Sequence, residues 1–528
     1  MNTTDSLVER LDLLNDIGAS LSGERDLDRL LEKILVAAKS ITHADGGTLY
    51  TVTEDRRFLE FKIVRTDSLN VAFGGSASAP LPAHFKNLPL YRDDGSARDD
   101  IVAAHAAVGG RTVNVADAYD AAGFDFSGAR RFDEASGYRS TSFLTVPMKN
   151  HEGAAIGVLQ LINATDPATG QVTPFSASDQ GLAESLASQA AVALTNRQLV
   201  LQLEQLFESL IKLINTAIDE KSPYTGGHCE RVPTLTMMLA EAANEVTEGP
   251  LAAFKLADKD RYELRIAALL HDCGKITTPV HVVDKATKLE TIFDRIELLA
   301  TRFELVKRDA ELASLKSVMA GAPAAEADEA LRTLLARIDA DCAFLRQSNR
   351  GSERMTDEAV QRIQDIATRY HWQDAEGTQH PFLSSDELEN LCIRGGTLTA
   401  ADRSIINHHI VATINMLEQL PWPQHLKNVP EYAGGHHERM DGKGYPKGLY
   451  RDDMSLQARM MGIADIFEAL TAADRPYKAP MKLSQALRIL EDFKKNGHID
   501  PDLFEIFLEK RVPQRYAEQF LAADQLDC

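Results

Sequence analysis

Apolar residues at Leu11, Leu14, Ile17 and Leu21, and again at Leu27, Leu30, Leu31 and Ile34, recur at helical spacing over residues from about 8 to 40. The pattern then shortens to stretches of strand length: 47–53 around Leu49-Tyr50, 58–64, 141–148 (TSFLTVPM) and 155–163 (AIGVLQLIN). The last two flank Lys149-Asn150-His151-Glu152-Gly153, a segment suited to a hairpin loop. Helical spacing resumes at Ser176-Ala177-Ser178-Asp179 and runs past Asn196. Helix, antiparallel strands, hairpin and closing helix predict an α+β module.

From Leu199 onward, Leu203, Leu206, Leu210 and Leu213 repeat at heptad spacing, with Phe207, Ile211, Ile214 and Ile218 forming a second stripe. This predicts a connecting helix over 198–218, able to pair with a second copy and carry a signal onward. The same spacing also suits an intramolecular bundle helix. Residues 285–400 read as helical, rich in Ala, Glu, Asp and Arg, with a polar stretch over 347–354 (QSNRGSER) and no motif of known chemistry. The expected organisation is therefore an α+β module over 8–197, the connecting helix, an all-α domain over 219–490 interrupted by a helical insertion at 285–400, and a helical tail over 491–528.

Composition narrows the possible partners. The 528 residues carry 57 Lys and Arg against 78 Asp and Glu, a net charge of −21. A surface for DNA or RNA would repel its ligand unless its positive charge were sharply local, so bulk nucleic-acid binding is not expected. An anionic substrate must be met by metal ions or a few placed Lys and Arg. No apolar run reaches the roughly 18–20 residues that span a bilayer, and the opening residues lack a basic and apolar export signal. Cys229, Cys273, Cys342, Cys392 and Cys528 are odd in number and without CxxC pairing, which fits a reducing compartment. A cytoplasmic location without membrane attachment is expected.

The chemistry lies beyond Asp219. His228, the pair His271-Asp272 after "AALL", His408-His409, His436-His437 and Asp465 are five separated sites of metal-ligating side chains. A lone His is usually structural, but burying a His-Asp pair at the end of an apolar helix is costly without a cation or strong partner. A carboxylate such as Asp272 can bridge two cations while imidazoles complete the coordination. Two metals a few Å apart activate water and stabilise a leaving oxygen in phosphodiester hydrolysis. Lys275 stands one turn from His271, placed to meet a phosphate or to complement a helix end. The Gly442-Lys443-Gly444-Tyr445-Pro446 loop reads as a tight turn, and Cys229 and Cys273 read as packing residues.

Two resemblances sharpen this. "SFLTVPMKNHEGAAIGVLQLINA" and "FSASDQGLAESLASQAAVAL" resemble a GAF domain over roughly residues 10–197, which implies a sensor with a ligand pocket on its sheet. GAF domains that bind cyclic nucleotides carry Asn-Lys and Phe-x-x-x-Asp-Glu. The matching residues here are Asn163-Ala164 and Phe175 to Asp179-Gln180, with two of five replaced. Asn163 and Asp179 read equally as braces of local backbone, and the sensor's ligand stays unidentified.

"HDCGK", "HHERMDGKGYP" and "ADIFEALTAADRPYK" resemble the HD-GYP family of HD phosphohydrolases over roughly residues 205–490. The resemblance implies an all-α catalytic domain that hydrolyses cyclic di-GMP to pGpG or GMP with two or three iron or manganese ions. Carried over by position, the metal ligands are His228, His271, Asp272, His409, His436, His437 and Asp465. His409 is preferred to His408 because it lies eight residues before Leu417. Asp272 and Lys275 then serve catalysis, and Lys275, Tyr445, Arg475 and Lys478 contact substrate. Glu468 stands where the family has Asp, and Tyr224 stands where trinuclear members have Glu, so a two-metal site is expected. A homodimer is expected from the heptad stripe of the connecting helix, and the resemblance adds contacts with diguanylate cyclase (GGDEF) proteins. Rival readings are a non-catalytic cyclic di-GMP receptor, or a hydrolase of another cyclic dinucleotide or nucleotide.

Overall fold

The computed structural model describes residues 3–24, 26–76, 79–221, 227–351, 354–473 and 480–528. They form two compact units, Met1–Phe207 and Glu208–Cys528. Tyr224, Arg475 and Lys478 lie outside the described residues.

In the first unit, α1 (Thr3–Gly23) and α2 (Leu27–Thr42) replace the single helical stretch that the spacing suggested. The interruption falls before Asp26, whose carboxylate caps α2 by accepting from Arg29 N at 2.8 Å. The strands are β1 (Ala44–Val52), β2 (Phe58–Thr66), β3 (Val71–Gly74) and β4 (Leu88–Pro89), followed by α3 (Val102–Gly109), β5 (Val113–Val115) and α4 (Ser127–Ser136). Next come β6 (Phe143–Lys149), β7 (Ala155–Thr165) and β8 (Val172–Thr173). The sheet order is β3-β2-β1-β7-β6-β5, antiparallel throughout, with β6 and β7 joined by the expected hairpin. One face carries the main core, where Leu30, Ile34 and Leu35 of α2 pack with Leu49, Leu159 and Leu186. On the sheet lies a cavity of about 380 Å³, lined among others by Tyr50, Phe61, Phe85, Phe126, Tyr138 and Gln160.

The closing helix α5 runs unbroken from Ala177 to Lys221. The closing helix of the module and the connecting helix are thus one element, because no Gly or Pro interrupts residues 182–221. Leu182, Leu186 and Leu194 are buried in the first unit, whereas Ile211 and Ile218 are buried in the second.

The second unit continues with α6 (His228–Asn244), α7 (Asp258–Leu270) and, after a short 3₁₀ turn at Cys273–Thr277, α8 (Val280–Val283). The insertion holds α9 (Ile296–Met319), α10 (Ala324–Asn349), α11 (Asp357–Arg369), a β9–β10 hairpin (His371–Gln373 with Gln379–Pro381) and α12 (Ser385–Leu391). It has its own core of Leu299, Phe303, Ile338, Ile363 and Phe382. The hairpin is its departure from an all-helical reading. Helices α13 (Ala400–Glu418), α14 (Val429–Gly434), α15 (Leu456–Thr471), α16 (Leu483–Lys495), α17 (Pro501–Glu509) and α18 (Val512–Phe520) complete the unit. Residues beyond 490 belong to this helical body: Phe467 of α15 meets Phe507 and Tyr516 edge-on, with centroids at 5.3 and 5.7 Å. Among the described residues, no helix is long and apolar enough to cross a membrane.

Candidate metal centre

Three helix ends and the middle of a fourth helix deliver the imidazoles. His228 opens α6, His271 follows the last residue of α7, His409 lies within α13, and His436-His437 follow α14. Asp465 and Glu468 share one face of α15, three residues apart. Close packing brings these positions together. A Cβ on Gly274 would stand 2.0 Å from His409 O, so the turn after Asp272 passes against α13 only because residue 274 is glycine. The Gly274 N–H donates to Thr413 Oγ1 at 2.9 Å, locking that approach. Glu263 of α7 accepts from Asn428 N at 2.7 Å and seats the start of α14.

The side chains form two groups, His228–His271–Asp272 and His409–His436–His437, each with its donor atoms within 4.8 Å of one another. Asp272 joins them. Its Oδ2 lies 3.0 Å from His228 Nε2 and 3.2 Å from His271 Nε2, and its Oδ1 lies 3.2 Å from His409 Nε2. His437 Nε2 is 3.2 Å from His409 Nε2, and Asp465 Oδ1 is 3.5 Å from His228 Nε2. His408, by contrast, is exposed. Lys275 Nζ contacts Asp272 Oδ2 at 2.5 Å, and the Tyr445 ring stacks on His437 with centroids 4.8 Å apart at 24°.

The donor set suits cations. His271, His409 and His436 hold Nδ1 at 2.7, 2.5 and 2.6 Å from the carbonyls of Ala268, Ile406 and Ala433. A neutral imidazole donating there leaves Nε2 as a bare lone pair. His271 Nε2 and His228 Nε2 nevertheless lie 3.3 Å apart. Among the described residues, His436 Nε2 and Asp272 Oδ1 are buried without a hydrogen-bond partner. Converging, buried lone pairs of this kind are costly without a positive charge between them.

Electrostatics follow the same logic. Burial works against ionisation of Asp272, yet Lys275 and His271 beside it hold its carboxyl well below the usual range. Burial, with His271 nearby, pushes His436 down to about 4, and burial with His436 and His409 also depresses His437. Burial opposes the charge on His228 too, but the Glu468 carboxylate and the contact with Asp272 outweigh it and raise the imidazole to about 9. A proton on His228 and a metal cation answer the same need. Burial pushes the Cys273 thiol up to about 11 and Cys229 higher still, as suits packing residues.

Three supports escaped sequence reasoning. Arg231 pairs with Glu468. Glu438 accepts from Lys447 N at 2.7 Å and Leu449 N at 2.9 Å, tying down the Gly442–Pro446 loop. Lys221 of α5 reaches the carbonyls of the 3₁₀ turn. Their only sequence signal was proximity to a motif. In the first unit, Asn163 braces backbone: its Oδ1 accepts from Thr141 N at 2.7 Å and its Nδ2 donates to Arg139 O at 2.8 Å. Asp179 accepts from Ser176 N at 2.9 Å in the same manner.

Family comparisons agree with this division. A GAF domain model matches residues 26–194, and HD domain models match 225–343 and 384–503. The chain joins a GAF domain to an HD domain. The junction between the two HD matches falls inside the insertion. A 3′3′-cGAMP-specific phosphodiesterase of Vibrio cholerae is 26% identical over 327 residues, 61% of this chain and 44% of that protein. A second such enzyme of the same organism is 40% identical over 146 residues, 28% of this chain and 32% of that one. A cyclic di-GMP phosphodiesterase of Pseudomonas aeruginosa is 37% identical over 114 residues, 22% of this chain and 26% of that one. The chain thus spans less than half the length of these relatives. The GAF domain of an Acinetobacter phosphoenolpyruvate-protein phosphotransferase covers 38% of this chain and 98% of its own at 17% identity, with a TM-score of 0.26.

Proposed function

We propose that this GAF–HD chain is a metal-dependent phosphodiesterase that hydrolyses cyclic di-GMP to pGpG, and onward to GMP, under the control of its GAF domain. The observation that carries the reading is Asp272, which turns one oxygen toward each imidazole group while Lys275 contacts it at 2.5 Å. His228, His271, Asp272 and Asp465 would hold one divalent cation, and Asp272, His409, His436 and His437 the other; imidazole and carboxylate donors suit Fe, Mn, Zn or Ni, and the family resemblance favours iron or manganese. Two such cations, when bound, activate water and stabilise a leaving oxygen.

The chain's own groups do the rest. Lys275 supplies a point charge for the scissile phosphate. Tyr445, stacked on His437, offers a flat face at the rim for a guanine. Arg475 and Lys478, outside the described residues, are assigned to substrate by motif alone. In the net reaction water adds to phosphorus, the P–O3′ bond breaks, and one proton goes to the departing 3′-oxygen. The exposed heptad face of α5 supports a homodimer, and the absence of a spanning helix among the described residues suits a cytoplasmic enzyme. Diguanylate cyclases are proposed as partners on the family resemblance.

The test is release of pGpG from cyclic di-GMP by anaerobically loaded protein, beside His271→Ala and Asp272→Ala. A second reading has specific support: two matched relatives are named for 3′3′-cGAMP. Side-by-side hydrolysis of both dinucleotides decides the substrate, and inertness toward both ends the enzymatic reading.

A further inference from the structure

The imidazoles of the centre are not all oriented in the same way. His271, His409 and His436 each lean on a backbone carbonyl three residues earlier in the chain. His228 has no turn of its own helix behind it, because it is the first residue of α6. Its Nδ1 meets a carboxylate instead, Glu468 Oε2 at 2.6 Å. Glu468 is buried. Its other oxygen, Oε1, accepts from Arg231 Nε at 2.8 Å and from a second guanidinium nitrogen, Nη2, at 2.7 Å.

The spacing makes this a built arrangement. His228 and Arg231 are three residues apart on α6, and Asp465 and Glu468 are three apart on α15, so each pair shares one helix face. The two faces meet such that His228 touches both acids, by Nε2 toward Asp465 and by Nδ1 toward Glu468. One acid stands on the metal side of the ring and the other behind it. A carboxylate behind a ligating imidazole fixes the ring's tautomer and makes Nε2 a stronger donor than a carbonyl-supported ring. A buried carboxylate needs a partner of its own, and a planar guanidinium donating through two nitrogens holds it in one orientation.

Given the two-cation reading above, we infer that Glu468 and Arg231 are positioning residues of the centre. Glu468 holds His228 as the Nδ1–H tautomer with Nε2 facing Asp272, and Arg231 holds Glu468 in place. Of the two cations, the one served by His228, His271, Asp272 and Asp465 depends on this support, and the one served by His409, His436 and His437 does not.

The test is Mn²⁺ binding by the full chain, measured by equilibrium dialysis and by the manganese electron paramagnetic resonance signal. Wild type is compared with Glu468→Gln and Arg231→Lys, and melting of the metal-free proteins is recorded alongside. For Glu468→Gln, affinity at one of two sites should fall by about 10- to 100-fold while the other site keeps wild-type affinity. Arg231→Lys, which keeps the charge but loses the planar pairing, should weaken the same site by several-fold. Equal loss at both sites, or none at either, overturns the inference. Should Glu468→Gln fail to fold, Arg231→Lys decides alone, and wild-type affinity in that variant overturns it. Wild-type protein that binds no Mn²⁺ would refute the metal centre itself, an outcome separate from wild-type binding that persists in both variants.

Discussion

Lys221, the last residue of α5, donates from Nζ to the carbonyl oxygen of Ile276 at 2.5 Å and to that of Lys275 at 3.1 Å. Those carbonyls belong to the turn that carries Lys275 against Asp272. The same helix, Ala177–Lys221, begins inside the GAF match, and its last residue makes this contact within the second unit.

Lys221→Met should therefore loosen the turn without removing any metal donor. Each charge-assisted bond to a partly exposed backbone group contributes about 1 kcal/mol, so kcat/KM on cyclic di-GMP should fall roughly fivefold to tenfold. The loss should appear mainly in KM, with metal content unchanged. Wild-type kinetics in this variant would mean that the turn holds its own position.

Adjacent histidines on α13 separate a proposed ligand from a bystander. His409 is buried with Nε2 3.2 Å from both Asp272 Oδ1 and His437 Nε2, whereas His408 is exposed. His409→Ala should lower the affinity for one Mn²⁺ by more than about 100-fold and abolish turnover. His408→Ala should stay within about twofold of wild type in both measurements.

How legible this was depended on whether the signal was local. The β6–β7 hairpin and the buried stripe of α2 follow from alternation and helical spacing within a few residues. The imidazole and aspartate positions could be listed, because histidines in short motifs stand out even when 138 residues separate His271 from His409 (409 − 271). Their supports were legible only in part, because Glu468 stands inside a motif and its partner Arg231 was not singled out. Arg231 and Glu468 lie 237 residues apart, and nothing in either neighbourhood announces the other. The short strands β4 and β5 and helices α3 and α4 were missed for a different reason. Their two to ten residues, such as the Ala-rich Val102–Gly109, offer too few turns or alternations for a period to show.

Asp500 sets an acid limit for the helical unit. It caps α17 by accepting from Asp502 N at 2.9 Å and Leu503 N at 3.1 Å, and it pairs with Arg451 Nε at 2.9 Å and Arg459 Nη1 at 2.5 Å. Burial alone would raise its carboxyl, but the Leu503 amide and the two arginines hold it below the usual value. A carboxyl lowered in the folded state stabilises above its unfolded value and loses that contribution as pH falls through the folded one. Asp500→Asn should cost about 3 kcal/mol near neutral pH, seen as an earlier urea midpoint. The gap from wild type should narrow below about pH 4. A constant gap across that range would show that the charge contributes nothing.

The exposed face of α5 predicts the state of assembly. Leu199, Leu203, Leu206, Leu210 and Leu213 keep the 4-3-4-3 repeat with exposures between 49% and 66%, and Val192, one heptad earlier, is exposed at 59%. Open leucines at this repeat on one unbroken helix suit the seam of a parallel two-stranded pairing, so a homodimer is expected. Burying a Leu in such a seam stabilises by about 1.5–3 kcal/mol per side chain. Two introduced charges per copy should therefore weaken association by more than about 100-fold. Leu206→Glu with Leu210→Glu should turn a dimer into a monomer by light scattering at micromolar concentration. The far-ultraviolet circular dichroism should stay near wild type, because neither residue contributes to a core. Wild-type protein that runs as a monomer under the same conditions would leave α5 acting within one chain.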